Sequence, residues 1–159
     1  MTCKEGDRIS LDQIPIFSLK DTHDQKVSEQ LEGSKYFVLY FYPKDDTPGC
    51  TIEAKEFSEL KGKFEEYGAK VYGISKDSLE SHKKFAKKHD LTIGLLEDNS
   101  EISEKLGIFV EKSMYGKKYF GIERTTFVID TTGKILKIWN KVTPKDHASD
   151  VLGFIKSLE

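Results

Sequence analysis

From residue 36 onward, unbroken apolar runs alternate with helical stripes, and that alternation confines the chain to an α/β architecture. YFVLYFY, residues 36–42, is too short for a stable helix and has no polar face, so it reads as a central strand covered on both sides. Behind it, Cys50, Ala54, Phe57, Leu60, Phe64 and Tyr67 recur at steps of three and four, the stripe of one helix, which Gly68 stops. AKVYGIS (69–75) and LTIGLLED (91–98) are further strands, with a helix over 77–90 capped by Asp77 or Ser78, and SEISEKLG (100–107) is a short helix.

The later part changes character. TTFVID (125–130) and KILKIWN (134–140) flank Thr131, Thr132 and Gly133, a hairpin signal, and a closing helix carries Ala148, Val151, Leu152, Ile155 and Leu158 on one side. The sheet is therefore expected to be mixed, parallel early and antiparallel late, with helices on both faces. MYGKKYFGIE (114–123) reads as a polar loop or edge element. IPIFSLKD and QKVSEQL, near the N-terminus, are expected to pair as a small hairpin extension. The 159 residues suit one domain, 1–159, with no repeat or linker.

Charge excludes some partners. A net charge of −2 leaves no electrostatic footprint for nucleic acid, and the lysines of SHKKFAKKH (81–89) interleave with Phe85 and Ala86 as a solvated helix face. No run approaches a membrane span and the N-terminus lacks an apolar signal core, so a cytoplasmic protein is expected. His23, His82, His89 and His147 are scattered and read as surface residues rather than metal ligands, and Trp139 as core. Two cysteines, Cys3 and Cys50, make neither a disulfide scaffold nor a zinc site.

Cys50 sits in FYPKDDTPGCTIEAKEF, where Thr47 suits the N-cap, Pro48 the first helical position and Cys50 the third. Unpaired N–H groups and the helix dipole there favour a thiolate. Ionisation alone is a modest aid, because an ordinary thiol is already about 3% ionised at neutral pH and full ionisation gains about thirtyfold. Fast sulfur chemistry needs donors aimed at developing charge. Arg124, one of only two arginines, precedes a late strand and offers a planar fork for a thiolate and an oxygen pair. Glu53 could orient it, or could simply complement the helix dipole.

Pro43, Thr47 and Cys50 in P-x-x-x-T-x-x-C, with the distant Arg124 in KKYFGIERTTFVID, resemble the peroxiredoxins, and the wording is most similar to their bacterioferritin comigratory protein or peroxiredoxin Q subgroup. The resemblance implies a thioredoxin-like fold and a thiol-dependent peroxidase acting on hydrogen peroxide and organic hydroperoxides. It implies Cys50 as the nucleophile that becomes a sulfenic acid, Thr47 as a hydrogen-bonding partner of sulfur and peroxide, Pro43 as a shield from water, Arg124 as the stabilising cation and Glu53 as its orienter. No metal, haem or flavin is implied. Relatives with C-T-x-E-A-C carry a resolving cysteine five residues on, where this chain has Lys55. The expectation is one catalytic cysteine, with Cys3 an incidental terminal thiol. Thioredoxin, a glutaredoxin or a small thiol would be the reductant, and the chain a monomer or weak homodimer. A C-x-x-C oxidoreductase is disfavoured because position 47 is threonine, and a non-catalytic thioredoxin-like binding or chaperone module is the alternative.

Overall fold

A computed structural model describes residues 3–159. Five strands form one mixed sheet: β1 (Tyr36–Phe41), β2 (Ala69–Ser75), β3 (Gly94–Glu97), and, with two strands of a separate ribbon intervening in sequence, β6 (Thr125–Asp130) and β7 (Ile135–Trp139). Their order is β3-β2-β1-β6-β7, with β1–β2 and β2–β3 parallel and β1–β6 and β6–β7 antiparallel. The expected change from parallel to antiparallel pairing is therefore present, and β1 is central.

Strand alternation explains why the 36–42 run contains no polar residue. Val38, Tyr40 and Tyr42 point into one apolar cluster, whereas Phe37, Leu39 and Phe41 point into another on the opposite face. The first cluster also holds residues of α1 (Pro48–Glu59), α2 (Lys61–Glu66), α3 (Leu79–His89) and α5 (His147–Ser157). The second is closed by the one-turn α4 (Ile102–Lys105), two 3-10 turns and the N-terminal segment. Successive right-handed β-α-β units stepping in one direction must place their helices on the same face, so the helical cover is unequal.

Four expectations need correction. The stripe through Tyr67 is two helices: Thr92 donates its hydroxyl to the Ser58 carbonyl (3.2 Å), satisfying an acceptor that a continuing helix would have used, and the chain turns at Leu60. For residues 114–123 the loop reading gives way to the edge-element one: they are the end of β4 (Phe109–Met114) and all of β5 (Lys117–Ile122), an antiparallel two-stranded ribbon turning through Tyr115 and Gly116, both at positive φ. The N-terminal hairpin reduces to one bridge, Lys20 with Lys26, between 3-10 turns at Ile16–Ser18 and Val27–Gln30. Trp139 is only half-buried, its ring edge-on to His147 and Phe154.

The segment after Cys3 runs along β7, with Gly6 and Ile9 donating to the carbonyls of Ile135 and Gly133 (2.8 and 2.9 Å). It covers what would otherwise be an open sheet edge. Cys3 packs against the second cluster, across the sheet from Cys50 in the first.

Candidate active site

The turn between β1 and α1 carries Pro43, half-buried, and ends at Thr47, which holds the N-cap position. Pro48 is the first helical residue and Cys50 the third, as the sequence predicts. Thr47 does not cap through its side chain: its hydroxyl donates to the Lys44 carbonyl (3.0 Å), while its own carbonyl accepts from the Thr51 N–H and hydroxyl. With its proton so used, the Thr47 oxygen keeps lone pairs to accept a hydrogen bond.

Cys50 is buried on the inner face of α1, 1% exposed. Among the described residues its sulfur has one hydrogen-bond partner, the Arg124 Nη2 at 3.3 Å. Strand parity accounts for this pairing. Val128 of β6 faces the α1 side, and residues 126 and 124 follow it at steps of two, so Arg124 emerges over the helix start. A side chain at Gly49 would meet Arg124 Nη2 and Pro144 Cγ, each at 3.3 Å, so glycine leaves the guanidinium room to lie over the turn. The other guanidinium nitrogen, Nη1, donates to Glu53 Oε1 at 2.7 Å. Glu53 thus bonds the arginine directly, beyond any complement to the helix dipole.

Glu53 is wholly buried, and its second oxygen, Oε2, has no hydrogen-bond partner among the described residues. Burial outweighs the attraction of Arg124 and lifts its carboxyl to about 7. Burial works to lower the Arg124 pKa, but the Glu53 and Cys50 charges outweigh it and leave the guanidinium raised. The folded state therefore holds the Glu53 proton more tightly than the unfolded chain. That stabilisation is complete below the unfolded carboxyl value, about 4.3, and is lost as pH rises through about 7, to the extent of roughly 3 kcal/mol. Urea unfolding at pH 5 and pH 8 is expected to show the loss, and Glu53→Gln to flatten it. An equally steep fall in the variant would assign the effect to another group.

Several neighbours gave no sequence signal. Lys112 of β4 donates to the Ile122 carbonyl (2.5 Å), two residues before Arg124, and burial followed by the Arg124 charge holds its ammonium below the ordinary lysine value. Tyr40 stacks on Phe57 (4.6 Å between centroids) beneath α1, its hydroxyl buried and unpartnered. The surface assignment fails for two histidines. His82 is fully buried, and His147 nearly so, bonded to the Thr126 hydroxyl at 2.8 Å and pushed down to about 4 by burial. His23 is exposed and His89 half-buried.

Pro43 and Thr47 are thus placed on the same turn as Cys50, while hydrogen bonds join Cys50, Arg124 and Glu53 directly. Residues 11–138 match the AhpC/TSA family. Peroxiredoxin Bcp of Bacillus subtilis is 43% identical over 145 residues, 91% of this chain and 92% of its own length. A protein of Coxiella burnetii named putative peroxiredoxin bcp is 45% identical over 141 residues, covering 87% and 93%. The PrxQ of Xylella fastidiosa, solved as a cysteine-to-serine mutant, superposes with a TM-score of 0.88 at 34% identity over 99% of this chain and 98% of that one. The bacterioferritin comigratory protein of Xanthomonas campestris, whose structures concern alkyl peroxide reduction, superposes with 0.82 at 34% identity over 96% and 99%. With sequence likeness and thioredoxin-like architecture agreeing over almost its whole length, the chain belongs to the AhpC/TSA family as a peroxiredoxin of the Bcp and peroxiredoxin Q group, a thiol-dependent peroxidase.

Proposed function

We propose that Cys50 is the sulfur this peroxidase oxidises and that it works as a one-cysteine enzyme within a single domain, 1–159. The Cys50 thiolate attacks the terminal oxygen of a peroxide ROOH, the O–O bond breaks, and the products are Cys50–SOH and RO⁻, which takes a proton to leave as water or an alcohol. The observation that carries this reading is the Arg124 fork, 3.3 Å from the sulfur on one nitrogen and 2.7 Å from Glu53 on the other. One nitrogen anchors the cation while the other meets sulfur, so the positive charge is already in place when charge passes to the leaving oxygen. Thr47 accepts a hydrogen bond from the peroxide O–H, and Pro43 limits water at the mouth of the turn.

The alkyl peroxide activity named for the Xanthomonas protein supports organic hydroperoxides as substrates beside hydrogen peroxide. Lys55 at the fifth position after Cys50, and the place of Cys3 across the sheet, support an external thiol as the resolving group. Thioredoxin, a glutaredoxin or a small thiol fills that role in this reading, in a reducing compartment such as the cytoplasm, with the enzyme a monomer or weak homodimer. Intact mass spectrometry after one equivalent of hydrogen peroxide tests it. A single added oxygen at Cys50, or its trapped adduct, is expected. Rapid and quantitative formation of a Cys3–Cys50 disulfide would overturn the one-cysteine assignment.

A further inference from the structure

The start of α1 is tied to α3 and β3 through one buried imidazole. His82 has no exposed surface. Its Nε2 lies 2.9 Å from the Leu96 carbonyl, and its Nδ1 lies 2.8 and 3.0 Å from the two carboxylate oxygens of Asp45. A carbonyl can only accept, so Nε2 carries a proton. Asp45 is held below the ordinary carboxylate range because hydrogen bonds from His82, Tyr42 and Ser81 outweigh its burial, so it too can only accept. His82 therefore brackets oxygens of two different elements, one at each ring nitrogen.

Asp45 is the point this bracket holds. It also receives the hydroxyls of Tyr42 (2.6 Å) and Ser81 (2.7 Å), while its own N–H donates to Asp77 Oδ2 (2.8 Å), which Ser75 also reaches (2.7 Å). Asp46 follows at φ +58, and the next residue, Thr47, is the N-cap of the helix that carries Cys50 at its third position. Arg124 reaches the sulfur from just ahead of β6, an element that takes no part in this network. The sulfur-to-guanidinium distance therefore depends on two independent anchors, Glu53 for the arginine and Asp45 for the helix start. At the surface His89 and Lys88 hold Asp46 at 2.8 and 2.6 Å, but this outer contact is solvated and weak.

We propose that His82 is a positioning residue of the peroxidase, fixing through Asp45 where the Cys50 helix begins and so where the sulfur meets Arg124. The proposal rests on Cys50 being the oxidised residue, which Cys50→Ser tests separately. The amide of His82→Gln cannot span both acceptors as the ring does. Its second-order rate of Cys50 oxidation by hydrogen peroxide, normalised to the folded fraction, is expected to fall on the order of tenfold to a hundredfold. In the same protein, peptide mapping is expected to show Cys50 alkylated faster by iodoacetamide. Simple loss of global stability would not produce that divergence once the rates are normalised to folded protein. His89→Gln is expected to leave both rates unchanged. Should His82→Gln fail to fold, the Asp45 variants decide: Asn keeps a polar head within reach of the His82 ring and the Tyr42 and Ser81 hydroxyls and Ala does not, so Asp45→Asn should oxidise about ten times faster than Asp45→Ala. Wild-type oxidation and alkylation rates in folded His82→Gln, or equal rates for Asp45→Asn and Asp45→Ala, would overturn the proposal.

Discussion

Cys50→Ser enzyme is expected to leave hydrogen peroxide untouched at any concentration of reducing thiol, whereas Cys3→Ser should turn over at close to the parental rate. The first result follows from the chemistry: the attacking atom must give up an electron pair to oxygen and later take a thiol sulfur in a disulfide while that oxygen leaves as water, and a serine hydroxyl in the same place does neither. The fold should survive, since serine is nearly isosteric and its hydroxyl can accept from the Arg124 Nη2 that now meets sulfur. The second result follows from topology. Cys3 belongs to the apolar cluster on the far side of the sheet and is joined to β7 through the Gly6 and Ile9 hydrogen bonds. Burial first, and then the Asp7 charge, push its thiol up, leaving less thiolate to attack an oxidised partner. A coupled assay following peroxide loss measures both variants. Residual turnover in Cys50→Ser would relocate the reaction, and a collapse in Cys3→Ser would make the N-terminal thiol part of the cycle.

Arg124→Met is expected to lower kcat/KM for hydrogen peroxide by roughly a hundredfold to a thousandfold, the usual loss when a donor aimed at developing charge is removed. Arg124→Lys should recover less than about a tenth of that, because a single ammonium cannot bridge Glu53 and the sulfur as a fork does. Arg124→Met also strips Glu53, in a fully buried position, of its one side-chain hydrogen-bonding partner among the described residues. Activity should therefore be measured beside an unfolding curve, and stopped-flow peroxide titrations supply the rate constants. A lysine variant within threefold of the parent would mean that charge alone suffices and that the fork geometry is incidental.

Much of this arrangement was legible before any coordinates. The strand at 36–42 was readable because both faces of β1 are buried, and the place of Cys50 because Thr47, Pro48 and the stripe to Phe57 agree on where the helix starts. The ribbon at 109–122 was obscured because most of its residues are exposed, which leaves no buried face to impose a period of two. His82 was misjudged for a different reason. Four lysines follow it within six residues, and only the fold brings Asp45 and the Leu96 carbonyl to this position of α3, where a polar ring is buried with both nitrogens bonded. Glu53 Oε2 and the Tyr40 hydroxyl, buried and without a partner among the described residues, have no signature in a linear chain.

On the role proposed for Cys50, its 1% exposure has a consequence for the recycling half of the reaction. Cys50 lies in the first turn of α1 and on its buried face, which leaves no open surface for the sulfur of another macromolecule to meet it. Regeneration by a protein thiol must then wait for that turn to fray, so turnover should saturate with reductant at a ceiling set by how often the turn opens, while small thiols press against no such ceiling.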